Sequence, residues 1–209
     1  MISELNQKEA PIQNIALQAI QDDNILVEII NNLKVKQETI RYNSYKVLMK
    51  ITEMNTERLY PYWDYFVEQI KGENTYWKCS GIHLITNLTK VDVAQKFEKI
   101  FDQFYALLDD KSMIPAAYVA GVSGKIAKAK PHLQKKITEQ LLNIENTHFA
   151  PDRRDLIKAG AIESFNEYFD EIENKQEIMD FVRGLQKCAS PKTEKLAKEF
   201  VRNWQIKSG

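Results

Sequence analysis

The stretch Thr56-Glu57-Arg58-Leu59-Tyr60-Pro61-Tyr62-Trp63-Asp64-Tyr65-Phe66-Val67-Glu68-Gln69-Ile70-Lys71 puts Leu59, Trp63, Val67 and Ile70 on one face at helical spacing. The same apolar sites return along the chain at a step of 37 residues. From Val67 the step reaches Ile30 on one side and Phe104, Leu141 and Ile178 on the other. From Ile70 it reaches Leu33, Leu107, Ile144 and Phe181, and from Trp63 it reaches Leu26, Ile100 and Ile137. Leu48, Ile85, Val122, Ala159 and Leu196 keep the step in a second set of helices. Two helices per 37 residues predict an all-α fold in which each repeat buries its apolar face against the next.

Helix signals punctuate the period. Residues 1–10 read as a loose lead-in, and Pro11 opens a helix with Ile12, Ile15, Ala16, Ala19 and Ile20 on one face. Asp22-Asp23-Asn24 offers a cap for a second helix bearing Leu26, Ile29, Ile30 and Leu33. Thr39 to Thr52 is expected to turn Ile40, Tyr45, Leu48 and Ile51 inward. In the 56–71 stretch, Pro61 either delays the helix or kinks it, and Gly72 reads as the C′ residue that ends it. Asn74 caps a helix carrying Ile82, Ile85 and Leu88, and Val93 to Leu108 follows with Phe97, Ile100, Phe101, Phe104 and Leu107. Ser112 opens a helix rich in Ala116, Ala117, Ala120, Gly121 and Gly124, small residues that let helices approach closely. Pro131 begins its partner, with Leu133, Ile137, Leu141 and Ile144. Pro151-Asp152 opens the next pair, with Leu156, Ala159, Ile162 and Phe165, then Ile178, Phe181, Val182 and Leu185. Ser190-Pro191 starts a C-terminal capping helix over 190–209, with Leu196, Phe200 and Trp204 on one stripe.

Composition narrows the class without naming a task. The chain has 209 residues, 28% charged, with a formal net charge of zero, so global charge selects neither nucleic acid nor an anionic membrane. Seven Gly and six Pro suit long helices better than turn-linked strands. Cys79 and Cys188 are too few and too far apart for a disulfide framework or a metal site, and they read as buried thiols. Met1 to Pro11 has no apolar core of a signal peptide, and Ser112 to Gly124 is too short for a membrane helix, so a cytoplasmic location is expected.

A period near 40 with two helices per repeat resembles the HEAT/armadillo superfamily, whereas the tetratricopeptide and ankyrin signatures are missing. Arg41-Tyr42-Asn43-Ser44-Tyr45-Lys46-Val47-Leu48 resembles the first helix of a HEAT unit. The resemblance covers nearly the whole chain. It implies an α-α superhelix of about five HEAT-like antiparallel helix pairs in a single domain over 1–209, with second helices lining a concave face. Such motifs support a fold and leave function to the surface.

No catalytic constellation stands out. His83, His132 and His148 fall in different repeats, no HExxH, CxxC, phosphate loop or nucleophile elbow occurs, and neither a cofactor nor a metal is expected. Lys125, Lys128, Lys130, Lys135 and Lys136 crowd the turn around Pro131, either as a phosphate-contacting edge or as a solvated turn. Glu163 to Asp180 holds seven acids and one lysine, against a general nucleic-acid groove. Aromatics cluster from Tyr60 to Trp77, with Tyr62, Tyr65 and Trp77 off the apolar stripe. Rotating about 200° from the stripe on the second helices gives an acidic, tyrosine-bearing face: Tyr65, Glu68, Asp102, Tyr105 and Glu139. The expected function is therefore a non-catalytic scaffold that binds a basic or mixed-charge protein segment there, as a monomer or as a subunit of a larger assembly. The alternative is a nucleic-acid-binding protein related to the alkylpurine DNA glycosylases, which are built from HEAT-like repeats and cradle duplex DNA in a basic concave groove. Trp63 or Trp77 near Asp64 is as far as that likeness reaches, and no motif matches residue by residue.

Overall fold

The computed structural model describes residues 2–173 and 175–206, and every element among them is helical. In chain order these are α1 (Ile2–Leu5), α2 (Ile12–Gln21), α3 (Asp23–Asn31), α4 (Glu38–Met54), α5 (Trp63–Lys71), α6 (Thr75–Leu88), α7 (Lys96–Tyr105), α8 (Met113–Ala129), α9 (Gln134–Leu142), α10 (Pro151–Tyr168), α11 (Lys175–Gly184) and α12 (Pro191–Ile206). Tighter 3-10 turns join several of them, among them Asn32–Lys34, Thr56–Tyr62, Ala106–Asp109 and Pro131–Leu133. The contacts gather into two compact units, residues 1–96 and 97–209.

The 37-residue step survives as burial. Ile30, Val67, Phe104, Leu141 and Ile178 are all buried, as are Leu26, Trp63 and Ile137 in the second register. Among the first helices Leu48, Ile85, Val122 and Ala159 are buried too. Side-chain bonds across the packed helices repeat the spacing within each unit. In the first, Asn43 donates to the carbonyl of Leu5, 38 residues away, and Asn87 to Thr52, 35 away. In the second, Gln134 donates to Glu171, 37 away, while Thr193 donates to the Asp155 carbonyl and Trp204 to Asn166, each 38 away. Within the units, α4 thus packs on α2 and α6, and α10 on α8 and α12.

Several local expectations are corrected. The loose lead-in instead forms α1, with Leu5 buried and the Asn43 amide bonding the carbonyls of both Leu5 and Gln7. The 56–71 stretch divides at its proline: Thr56–Tyr62 is a 3-10 turn containing Pro61, and α5 begins only at Trp63. Gly72 ends α5 in an extended conformation (φ −69°, ψ 168°), not the left-handed one a C′ glycine supplies. The helix expected from Val93 starts at Lys96, because Gln95 sits at φ 52°, outside the helical region. Asp92 caps it, its Oδ1 accepting from the Lys96 N–H at 2.9 Å and from the Tyr60 hydroxyl at 2.6 Å. Burial and that carboxylate push the Tyr60 hydroxyl up to about 12. Leu156, expected inward, is 42% exposed, while Ile100, Phe181 and Leu196 are half-buried. The capping helix begins at Pro191 as expected, and residues 207–209 of its expected span lie outside the described residues.

Gly121, Gly124 and Gly160 perform the close approach that the small residues promise. A Cβ on Gly160 of α10 would lie 2.7 Å from the Gly121 nitrogen in α8, and one on Gly124 would lie 2.7 Å from the Ser164 carbonyl oxygen. Ser164 fits between the helices by hydrogen bonding along α8: its hydroxyl donates to the Ala120 carbonyl at 2.6 Å and accepts from the Gly124 N–H at 2.9 Å.

Candidate functional site

A concavity lies in the second unit, where α9 faces the turn between α10 and α11. It has a volume of about 750 Å³ and is walled by His132, Lys135, Thr138 and Glu139 on one side and Glu171, Glu173 and Glu177 on the other. The sequence builds it in three steps. The 3-10 turn at Pro131 starts α9 one turn late, so Gln134 enters as a buried residue. Its amide spans the floor, donating to the Ala127 carbonyl at 3.3 Å and to Glu171 at 2.8 Å. Thr138 shares a buried 2.8 Å hydrogen bond with the Tyr168 hydroxyl, which fixes α9 against the end of α10. The wall above this anchored floor carries four exposed carboxylates, Glu139, Glu171, Glu173 and Glu177, against one exposed lysine, Lys135. Carboxylates arrayed along a recess attract an extended cationic chain and repel a phosphate backbone.

Of the five lysines expected to form a basic edge around Pro131, Lys130 and Lys136 are engaged within the protein, while Lys125, Lys128 and Lys135 are exposed. Lys130 is buried, and its ammonium meets both oxygens of Glu98, at 2.8 and 3.0 Å, with His132 at 2.9 Å from the same carboxylate. Partial burial works to raise the Glu98 carboxyl, but the hydrogen bonds from Lys130 and His132 prevail and hold it below its ordinary range. Lys136 pairs with Asp102 at 3.0 Å and lies 4.1 Å from the centroid of the Phe101 ring. Burial raises the Glu167 carboxyl above its ordinary range, and the exposed Lys125 and Lys128 offset only part of that rise.

The five residues expected to form the binding face separate. Glu139 enters the groove. Glu68 is exposed and paired with Lys71 at 2.5 Å, and Asp102 is exposed but held by Lys136. Tyr65 is half-buried, its hydroxyl donating to the Ile30 carbonyl at 3.2 Å. Tyr105 is corrected outright: it is 2% exposed and packs against Phe101 and Phe104, so it presents no ring to a partner. What the sequence reading missed is the opposite wall. Glu171, Glu173 and Glu177 lie within the acidic run 163–180, but nothing in that run says it faces Glu139.

The histidines meet side chains distant in sequence: His83 the Tyr45 hydroxyl, His132 the Glu98 carboxylate, His148 the Asp109 carboxylate. Two hydrogen bonds from His148, through its backbone N–H at 2.8 Å and its Nδ1 at 2.5 Å, hold the Asp109 carboxyl below its ordinary range. No group of three potential metal ligands occurs among the described residues. No described helix is long and apolar enough to cross a membrane. Neither a protein family, a curated protein nor a solved structure matches the chain.

Proposed function

We propose that this chain is a non-catalytic, HEAT-like α-solenoid scaffold that holds a basic segment of a protein partner in the groove between α9 and the α10–α11 turn. The solenoid part of the reading is supported by the 37-residue recurrence of buried apolar sites and by side-chain bonds that join residues one repeat apart. The binding part rests on one observation: in a chain of zero net charge, this recess gathers four exposed carboxylates around a floor already fixed by Gln134 and Thr138. A rigid floor lowers the ordering cost of binding, and the acidic wall speeds encounter with a cationic segment. The rival reading, a basic groove for duplex nucleic acid, loses Lys130 and Lys136 to internal ion pairs. The test is fluorescence anisotropy of a labelled Lys/Arg-rich peptide against the protein and against a Glu139→Lys/Glu177→Lys variant, both exposed positions. The variant is expected to bind at least about tenfold more weakly, in a salt-sensitive manner. Equal binding by both proteins, or preferential salt-sensitive capture of duplex DNA, overturns the reading.

A further inference from the structure

A second recognition element lies in the first unit, remote in sequence from the acidic run. Lys34 ends the 3-10 turn Asn32–Lys34, and its ammonium lies 4.6 Å from the centroid of the Tyr65 ring and 5.9 Å from that of Trp77. Both distances fall within the range over which an aromatic face attracts a cation. The Tyr65 ring and the backbone that carries Trp77 are anchored independently of Lys34. Tyr65 is tied through its hydroxyl to the Ile30 carbonyl and meets Phe66 edge-on at 5.9 Å. Trp77 stands in the first turn of α6, where the Asn74 side chain accepts from its backbone N–H at 3.2 Å. Lys34, by contrast, is exposed on a long flexible arm. Behind the rings the polar groups are incompletely matched. Gln69 is 2% exposed and neither end of its amide makes a well-formed hydrogen bond, although it lies near enough to the Tyr65 hydroxyl to counter part of the rise that burial imposes there. Asn32, two residues before Lys34 and 6% exposed, likewise has an unpaired amide nitrogen. Two rings on anchored helices, a removable cation of the chain's own, and an unpaired acceptor next to one ring describe a site already filled by a tethered copy of its ligand.

We propose that Tyr65 and Trp77 form a binding site for the side-chain ammonium of a lysine, free or methylated, on a partner protein, and that Lys34 occupies this site until the partner displaces it. Methylation spreads the cation's charge over a larger apolar surface and weakens its hydration, so a methylated ammonium gains more from two ring faces than a bare one. The tether gives Lys34 a high local concentration, so the unmodified protein binds a free ammonium weakly and loss of the arm exposes the site. This inference stands on α5 and α6 and not on the acidic groove, so either reading survives failure of the other.

The test is an NMR titration that follows the indole N–H of Trp77, assigned by its loss in a Trp77→Phe variant. Tetramethylammonium chloride and free Nε-trimethyllysine are the probes, and sodium chloride is the control. In a Lys34→Ala variant the Trp77 signal is expected to move saturably with either ammonium, with an affinity on the order of tenfold above that of the unmodified protein. A Lys34→Arg variant, which keeps a tethered cation, is expected to behave as the unmodified protein does. A Trp77 signal that moves no further with tetramethylammonium than with sodium in the Lys34→Ala variant overturns the proposal. So does equal affinity in the Lys34→Ala variant and the unmodified protein.

Discussion

The seam between α4 and α6 and the seam between α8 and α10 join the same two places in the repeat, yet they are built from opposite materials. Across α4 and α6 the contact is made by long side chains: Asn87 reaches Thr52 at 2.8 Å, and the Tyr45 and His83 rings stack at 5.9 Å. Across α8 and α10 the backbones themselves meet, Gly121 against Gly160 and Gly124 against Ser164. Two steps of 37 back from Gly121 and Gly160 stand Val47 and Thr86, both buried. In both seams helices about one 37-residue step apart lie side by side, and the side-chain size at those positions sets how closely they pack. Only the close seam is brittle, since a backbone atom cannot step aside for an added methyl as a side chain can.

The largest effect is expected from breaking the close seam. Gly160→Thr puts a branched side chain against the Gly121 backbone and is expected to cost about 3 kcal/mol or more in denaturant unfolding. A cost under about 1 kcal/mol contradicts the close approach. A second test removes charge from the same unit: Glu98→Ala takes away the carboxylate that meets the buried Lys130 ammonium through both oxygens and is expected to cost about 2 kcal/mol at neutral pH. Because the folded Glu98 carboxyl is held below its ordinary range, its contribution is present above that range and is lost as the pH falls through the folded value. The unmodified protein and the Glu98→Ala variant should therefore converge in stability as the solution is acidified, and a gap that does not narrow as the pH falls counts against the Lys130–Glu98 pairing. The converse change in the open seam, Thr86→Gly, is expected to cost about 1–2 kcal/mol through helix entropy and a small void, with no steric penalty. Smallest, and opposite in sign, Gln95→Gly relieves a left-handed backbone at the start of α7 and is expected to stabilise by about 0.5–1 kcal/mol; a thermal midpoint that falls contradicts the strain.

The fold was legible because burial obeys a period. Val67, Phe104 and Leu141 could be placed as equivalents without a structure, and so could the small residues on α8 that permit close packing. The binding face was less legible, for a geometric reason. Its phase on α7 was measured from Ile100, which proves half-buried, whereas the buried face centres on Phe97, Phe101 and Phe104. That small rotation carries Tyr105 from the expected surface into the core. Similarly, the lead-in was misread because the amide that anchors it, on Asn43, is 38 residues from Leu5, and a lone buried asparagine gives no periodic signal. The groove needs the α10–α11 turn brought against α9, a tertiary fact that an acidic run cannot announce.

The acidic groove is tested most directly by locating a basic ligand on the protein. Backbone amide shifts of the isotope-labelled chain, followed during titration with a Lys/Arg-rich peptide, should move together at Lys135, Thr138, Glu139, Glu171 and Glu177 and be suppressed by added salt. Shifts confined to residues outside that groove, or no saturable shifts at all, contradict the account.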